Sequence, residues 1–347
     1  MDIRVINIHN NSEKERISQF LINQNLKYGN DIEYTIALFE EKQIIGTGSI
    51  SGKVLKCIAV DESKQREGIA AKIVSRLVKK QFENGRTKNF LFTSPDKIDQ
   101  FTGLGFRLLS VAEPIYALLE MGMDDIDQYL HVLKKYQKTD SIAKIISTLI
   151  INANPFTLGH QFLVKKASTE SDIVYLFVVR EDKSLFPFET RFSLIEEGCR
   201  SFDNVKVIDG GDYIISSATF PTYFTRESEK EIVSGQATLD ANIFINYIAP
   251  TLKINRRYVG NEPYCGTTSI YNQVLKKVFP SAGIEIKEVP RFELDGKAVS
   301  ASSVRELIKN LKINETQKLL PSSTYRFLIS KEANPIIRKI IASNSRH

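Results

Sequence analysis

The sequence predicts an α/β protein of two domains: a small α+β unit, then a doubly wound domain on a parallel sheet. Three observations predict this. The 347 residues exceed what one ordinary hydrophobic core covers, so two cores are expected. Residues 1–122 hold many short β-branched segments and only one long amphipathic stretch. Beyond residue 140, apolar runs alternate with stretches of helical spacing, the pattern of consecutive βαβ units. The expected division is 1–122, a linker helix over 123–140, and 141–347.

In the first domain, strands are predicted at 3–8, 34–40, 43–49 and 53–60, with Glu41-Lys42 as a hairpin turn. A helix over 67–82 follows, because Ile69, Ile73, Leu77 and Val78 share a face. Then come a strand at 89–93, a helix near 97–103, and strands at 106–110 and 115–119. The polar segment 124–137 carries Ile126, Leu130 and Leu133 on one side. It reads as the inter-domain helix, with the boundary near Thr139.

In the second domain, the mostly apolar strand 144–152 leads to a helix over 158–169, a strand at 173–179 and a helix at 190–199. Strands at 204–208, 257–260 and 283–289 follow, with helices at 269–278 and 302–311 and one or two more over 324–341. This order suits a Rossmann-like sheet, in which ligands sit beyond the C-terminal strand ends.

The chemistry concentrates where the strand at 144–152 ends, in Asn152-Ala-Asn-Pro-Phe-Thr-Leu-Gly-His160. Asn154-Pro155 breaks the strand and Thr157 can cap a helix. His160 then falls in the first turn, beside open backbone N–H groups and the positive end of the helix dipole, which together favour an anion. A plain capped helix would read the same way; the strand–turn–helix context is what favours a site. Val299-Ser-Ala-Ser-Ser-Val-Arg305 is a second helix start, whose hydroxyls and Arg305 can hold phosphate. Gly260-Asn-Glu262 leaves a strand, and the loop 180–191 offers Lys183, Ser184 and Arg191 to an anion. The hydroxyl- and aromatic-rich segment 214–224 is expected to line a small acyl pocket or simply to pack. In the first domain, Gln65, Gly68 and Ala70 lie on a strand-to-helix loop, where small residues let amides approach phosphates.

The formal charge of +6 is dispersed, without the clustered basic face of a nucleic-acid binder. No run of about 18 apolar residues suggests a membrane span. The cysteines Cys57, Cys199 and Cys265 fit neither a disulfide framework nor a zinc site, which points to a reducing cytoplasm. His9 and His131 offer no evident base for acyl transfer.

Thr157-Leu-Gly-His160 and Val299-Ser-Ala-Ser-Ser-Val-Arg305 resemble the two signatures of the nucleotidyltransferase superfamily, with Thr in place of the commoner opening His. Gln65-Arg-Glu-Gly68-Ile-Ala70 resembles the acyl-CoA pyrophosphate loop of GNAT acetyltransferases, and Phe101-Thr-Gly-Leu-Gly-Phe106 a later turn of that fold. Together with Glu181-Asp-Lys-Ser-Leu-Phe-Pro-Phe188, Ser217-Ala-Thr-Phe-Pro221 and Gly260-Asn-Glu-Pro263, these motifs resemble the citrate lyase ligase family over nearly the whole chain. The resemblance implies an AMP-forming ligase using ATP, Mg²⁺ and acetate. It would acetylate the thiol of the CoA-like prosthetic group on the citrate lyase acyl carrier subunit by way of acetyl-adenylate. It also implies His160, Thr157 and Arg305 as catalytic residues, and Asn154, Phe156, Gly159, Gly260, Glu262, Ser300, Ser302, Lys183 and Arg191 as nucleotide contacts. Gln65, Gly68 and Ala70 would dock the carrier arm, and no protein side chain is expected as a metal ligand. The alternative is an adenylyltransferase forming a dinucleotide, of the pantetheine-phosphate or nicotinamide-nucleotide type. A third class is an adaptor that binds a carrier without chemistry.

Overall fold

The computed structural model of the protein describes residues 1–137, 143–181, 183–224 and 229–343. The chain forms two compact units, Met1–Gln128 and Tyr129–His347. The boundary expected near Thr139 lies outside the described residues, and the observed division falls inside a helix.

In the first unit, strands β1 (Asp2–Val5), β2 (Tyr34–Glu40), β3 (Gln43–Ser51), β4 (Val54–Val60), β5 (Lys88–Thr93), β6 (Arg107–Ala112) and β7 (Tyr116–Gly122) form one sheet, ordered β1-β2-β3-β4-β5-β7-β6. Its helices are α1 (Asn11–Asn23), α2 (Ile69–Glu83) and α3 (Ile98–Thr102). Neighbouring strands are antiparallel except β4 and β5, which α2 joins by a crossover. The period of two along β2 sorts its residues between faces. Ile36 and Leu38 pack with Ile69, Ile73 and Leu77 of α2, whereas Ala37 and Phe39 pack with Ile17 and Leu21 of α1. Helix α1, which the sequence reading did not include, is capped by Asn10, whose side chain accepts from the amides of Ser12 and Glu13. Strand β4 is registered with β5 only through Val54–Phe90 and Leu55–Leu91, and its chain then turns away toward the N-terminus of α2.

Helix α4 (Ile126–Lys134) carries the division between the units. The second unit has a five-stranded parallel sheet ordered β10-β9-β8-β11-β12, from β8 (Ile146–Ile151), β9 (Ile173–Val178), β10 (Val205–Asp209), β11 (Arg256–Gly260) and β12 (Glu285–Val289). Helices α5 (Leu158–Thr169) and α6 (Phe188–Cys199) cover one face, with Val164, Ala167, Leu194 and Ile195 packed on Leu149, Ile151, Val174, Leu176 and Val178. The other face carries α7 (Lys230–Ile243), a π turn (Phe244–Ile248), α8 (Ala249–Leu252) and α9 (Gly266–Val278), where Phe177, Phe244 and Phe279 meet ring to ring. A short hairpin of β13 (Glu293–Leu294) and β14 (Lys297–Ala298) precedes α10 (Ala301–Lys309), α11 (Ser322–Leu328) and α12 (Asn334–Ala342), which share an apolar cluster of their own. The strand order reverses between β8 and β11. These two strands are registered only through Ser147–Arg256 and Thr148–Arg257, so their C-terminal ends open the crevice that doubly wound sheets use for ligands.

Candidate active site

The loop after β8 and the first turn of α5 form the floor of that crevice. Thr157 is the N-cap of α5: its Oγ1 accepts from the His160 amide at 3.4 Å, and its own amide donates to His160 Nδ1 at 3.1 Å. Thr157 Oγ1 also lies 2.9 Å from Nδ1. Because Nδ1 accepts a backbone N–H, the ring proton of neutral His160 is assigned to Nε2. Burial, with the positive charge of Arg291 second, brings the His160 pKa from 6.5 down to about 4. At neutral pH the ring is therefore an uncharged donor with its tautomer fixed. Phe156 stacks on it, with centroids 5.9 Å apart and planes 17° from parallel. Phe156 is fully buried, so its side chain supports His160 and presents no face to a nucleotide.

The second signature comes to the same place. Ser300 caps α10, its Oγ accepting from the Ser303 amide at 3.0 Å and lying 2.8 Å from Ser303 Oγ. Gly159 is where the two helix starts meet: a Cβ there would stand 2.7 Å from the carbonyl oxygen of Val299. In each helix the first i→i−4 bonds run back to the cap, from Gln161 to Thr157 and from Val304 to Ser300. The amides ahead of them are the groups a helix leaves open to an anion. Arg305 donates from Nη1 to the Asn154 carbonyl and from Nη2 to Ser302 Oγ at 3.3 Å. Burial lowers its guanidinium to about 10, still a cation at neutral pH. Asn154 accepts from the Phe186 amide at 3.0 Å through Oδ1, while its Nδ2 is buried without a partner. Asn154, Thr157, Gly159, His160, Ser300, Ser302 and Arg305 are thus gathered by direct contacts.

The crevice's other wall follows β11. The carbonyl of Gly260 accepts from Asn272 Nδ2 at 3.0 Å. Glu262 accepts from the amides of Tyr264 (3.0 Å) and Cys265 (3.1 Å), and pairs with Arg291 at 2.5 Å. Arg291 follows β12 and was not anticipated from the sequence; a cation just beyond the C-terminal end of a strand is the signal that could have found it.

Two further expected nucleotide contacts lie on the stretch after β9. Lys183 is exposed on the loop after β9. Arg191 corrects the sequence reading: it is 0% exposed inside α6, and its guanidinium donates to the carbonyls of Phe186, Asn152, Val179 and Glu181 at 2.8–3.1 Å. With its donors on these carbonyls it fastens the loops after β8 and β9 together instead of reaching phosphate. Its place in the sequence explains this. Phe188, Arg191, Leu194 and Ile195 share the buried face of α6. Residues 214–223 pack as well. Asp240 accepts from the Ile215 amide (2.7 Å), Thr219 Oγ1 (2.8 Å) and Tyr271 Oη (2.7 Å), and Tyr271 accepts from Arg257 (3.1 Å).

In the first unit, Gln65 is exposed and Gly68 begins α2 at φ +72°, in the left-handed region that a side chain disfavours. A Cβ there would meet nothing within 4 Å, so conformation, not close packing, calls for glycine. Ala70 is half-buried in the first turn. All three cysteines are free. Among the described residues, no group of three or more His, Cys, Asp or Glu could hold a metal ion, and no helix is long and apolar enough to cross a membrane.

The family model for the citrate lyase ligase C-terminal domain matches residues 146–328, the span from β8 through α11, which holds every second-unit residue of the candidate site. A citrate (pro-3S)-lyase ligase of Klebsiella pneumoniae is 37% identical over 94% of this chain and 95% of its own. The chain belongs to the citrate lyase ligase family. It is an enzyme of the ligase class. Relatives of the same name from Escherichia coli (32% identity, 92% of this chain, 91% of its own) and Haemophilus influenzae (31%, 91% and 96%) agree. Among solved structures, an acetyltransferase of the GNAT family from Staphylococcus aureus (16% identity, 35% of this chain, 99% of that one, TM-score 0.30) overlays loosely. So does an aminoglycoside 6'-N-acetyltransferase from Enterococcus faecium (14%, 35%, 97%, 0.31). Both likenesses are too loose to carry an argument.

Proposed function

We propose that this ligase activates citrate lyase by acetylating its acyl carrier subunit in two steps. Acetate attacks the α-phosphate of MgATP to give acetyl-adenylate and pyrophosphate, and the thiol of the carrier's CoA-like prosthetic group then takes the acetyl group and releases AMP. The observation that carries the reading is His160: a neutral ring, its Nε2–H free of the Thr157 contacts, at the junction of two helix N-termini. A neutral donor suits a phosphate on which charge builds during pyrophosphate departure, because it adds a hydrogen bond without a proton to lose. Arg305 supplies fixed positive charge beside it, and the approaching carboxylate needs no protein nucleophile. Mg²⁺ carried in with the nucleotide would offset the negative charge of its phosphates. In the first unit, the loop of Gln65, Gly68 and Ala70 would receive the phosphates of the carrier arm. The test is pyrophosphate release from ATP with acetate, nicotinamide mononucleotide or phosphopantetheine as co-substrate. Acetate-dependent ATP–pyrophosphate exchange without any carrier is expected. Release only with a phosphorylated acceptor would assign the site to dinucleotide formation, and carrier binding without any release would leave an adaptor.

A further inference from the structure

Arg291 stands outside every motif that led to the site, yet the fold delivers it there. It lies just past β12, next but one in the sheet to β8. Its neighbour Phe292 packs on Phe162, two residues beyond His160, with ring centroids 5.3 Å apart. The Phe292 carbonyl accepts from the Val299 amide at 2.9 Å, and Val299 is the residue that touches Gly159. The backbone on which Arg291 sits is therefore fixed against the starts of both signature helices. Its side chain is aimed in turn: Nε donates to the Asn261 carbonyl at 3.0 Å, Nη2 pairs with Glu262, and the guanidinium lies 5.2 Å from the centre of the Tyr264 ring. Glu262 is held by two backbone amides, so it acts as a fixed peg rather than a mobile counter-ion. The Arg291 side chain is 24% exposed, so these contacts do not seal it inside the fold. An arginine so restrained loses little side-chain freedom on taking up an oxyanion, and its planar fork suits phosphate.

We propose that Arg291 is an anion-binding residue of this site: positioned by Glu262 and Asn261, it takes the outer phosphates of the nucleotide and the pyrophosphate that leaves. The proposal rests on the adenylating reading of the site. Its positive charge also acts on His160, in keeping with a shared anion between them. Glu262, inferred from sequence as a nucleotide contact, thereby becomes a positioning residue for Arg291.

The experiment uses the full chain and measures binding of inorganic pyrophosphate with Mg²⁺ by calorimetry, alongside adenosine as a phosphate-free probe. Arg291→Gln should weaken pyrophosphate binding about 10- to 100-fold, the usual effect of losing one charge-assisted phosphate contact. It should leave adenosine binding unchanged and raise the KM for ATP in exchange more than it lowers kcat. Arg291→Lys should recover part of the pyrophosphate affinity. In an NMR titration, Arg291→Gln should also raise the His160 pKa. Parent-like pyrophosphate binding in Arg291→Gln would overturn the proposal. Equal losses for adenosine and pyrophosphate would also overturn it, since they would mark a clamp on the 260–265 loop. If pyrophosphate binding depends on Arg291 but the parent shows no acetate-dependent exchange, the proposed reaction fails and the anion site stands.

Discussion

Replacing Gly159 with alanine would probe the contact on which the crevice depends. The added Cβ would lie 2.7 Å from the Val299 carbonyl oxygen, and both partners are main chain, so neither can swing aside. Relief requires α5 and the segment entering α10 to part by several tenths of an ångström. Overpacking of this kind costs about 1–3 kcal/mol. Alanine's better helix propensity offsets at most about 1 kcal/mol. The net loss is then on the order of 1–2 kcal/mol, a fall in melting temperature of roughly 2–8 °C for a unit of this size. Activity should suffer more than stability, because the displacement moves His160 relative to Ser302 and Arg305. A shift of about half an ångström corresponds to roughly tenfold in rate when 1 Å costs about 10²-fold. Calorimetric melting and ATP–pyrophosphate exchange measure the two effects. Gly266→Ala is the control: Gly266 also lies in a first helical turn, but a Cβ there meets nothing within 4 Å, so this variant should melt no lower than the parent and exchange at its rate. A Gly159→Ala protein that melts no lower than the parent and exchanges at its rate would refute the argument that the helix starts touch.

Other substitutions should separate the roles of individual groups. Because the folded-state pKa of His160 is about 4 against 6.5 for the free side chain, the unfolded chain binds more protons between those values. Stability should hold above pH 6.5 and fall as pH drops toward 4. His160→Gln should remove about 1 kcal/mol of the loss between pH 7.5 and 5, a figure discounted for the ring's partial exposure and read from denaturant melts. His160→Ala should cut single-turnover acetyl-adenylate formation by about 10²–10³-fold with a normal melt, and a near-parent rate would make the residue a bystander. Arg191→Met leaves carbonyls of two loops unpaired and should cost about 3–5 kcal/mol, seen as a large drop in melting temperature. Gly68→Ala should cost about 1 kcal/mol through its φ of +72° and slow carrier acetylation while sparing acetyl-adenylate formation; equal loss in both steps would detach that loop from the carrier.

The sequence was most legible where one local rule acted alone. The β2–β3 hairpin, with Glu41 at φ +55° in its turn, and the helix spacing of α2 and α5 needed no tertiary information. Helix α1 escaped because only Ile17 and Leu21 of its 13 residues are buried, a stripe too thin to stand out. The region from α7 to α8 escaped for the opposite reason. Burial of Val233, Gln236, Ala237, Leu239, Asp240, Ala241 and Ile243 leaves no polar stripe, and Phe-Ile-Asn-Tyr-Ile reads like a strand although it forms a π turn. At the site, the capped helix starts were readable from hydroxyl positions. The inward turn of Arg191 and the arrival of Arg291 depend on long-range packing, and charge alone suggests exposure for both.

The Arg305–Asn154 bond joins positions 151 residues apart, and Gly159 meets Val299 from nearly as far. A nascent chain made from its N-terminus therefore carries His160 on a capped helix long before the wall that faces it has been synthesised. A chain cut between Thr169 and Val299 keeps β8 and α5 but lacks the contact that joins the two helix starts. Nucleotide retention would thus report synthesis of the entire sheet, and protection from proteolysis by ATP should appear only once α10 has docked.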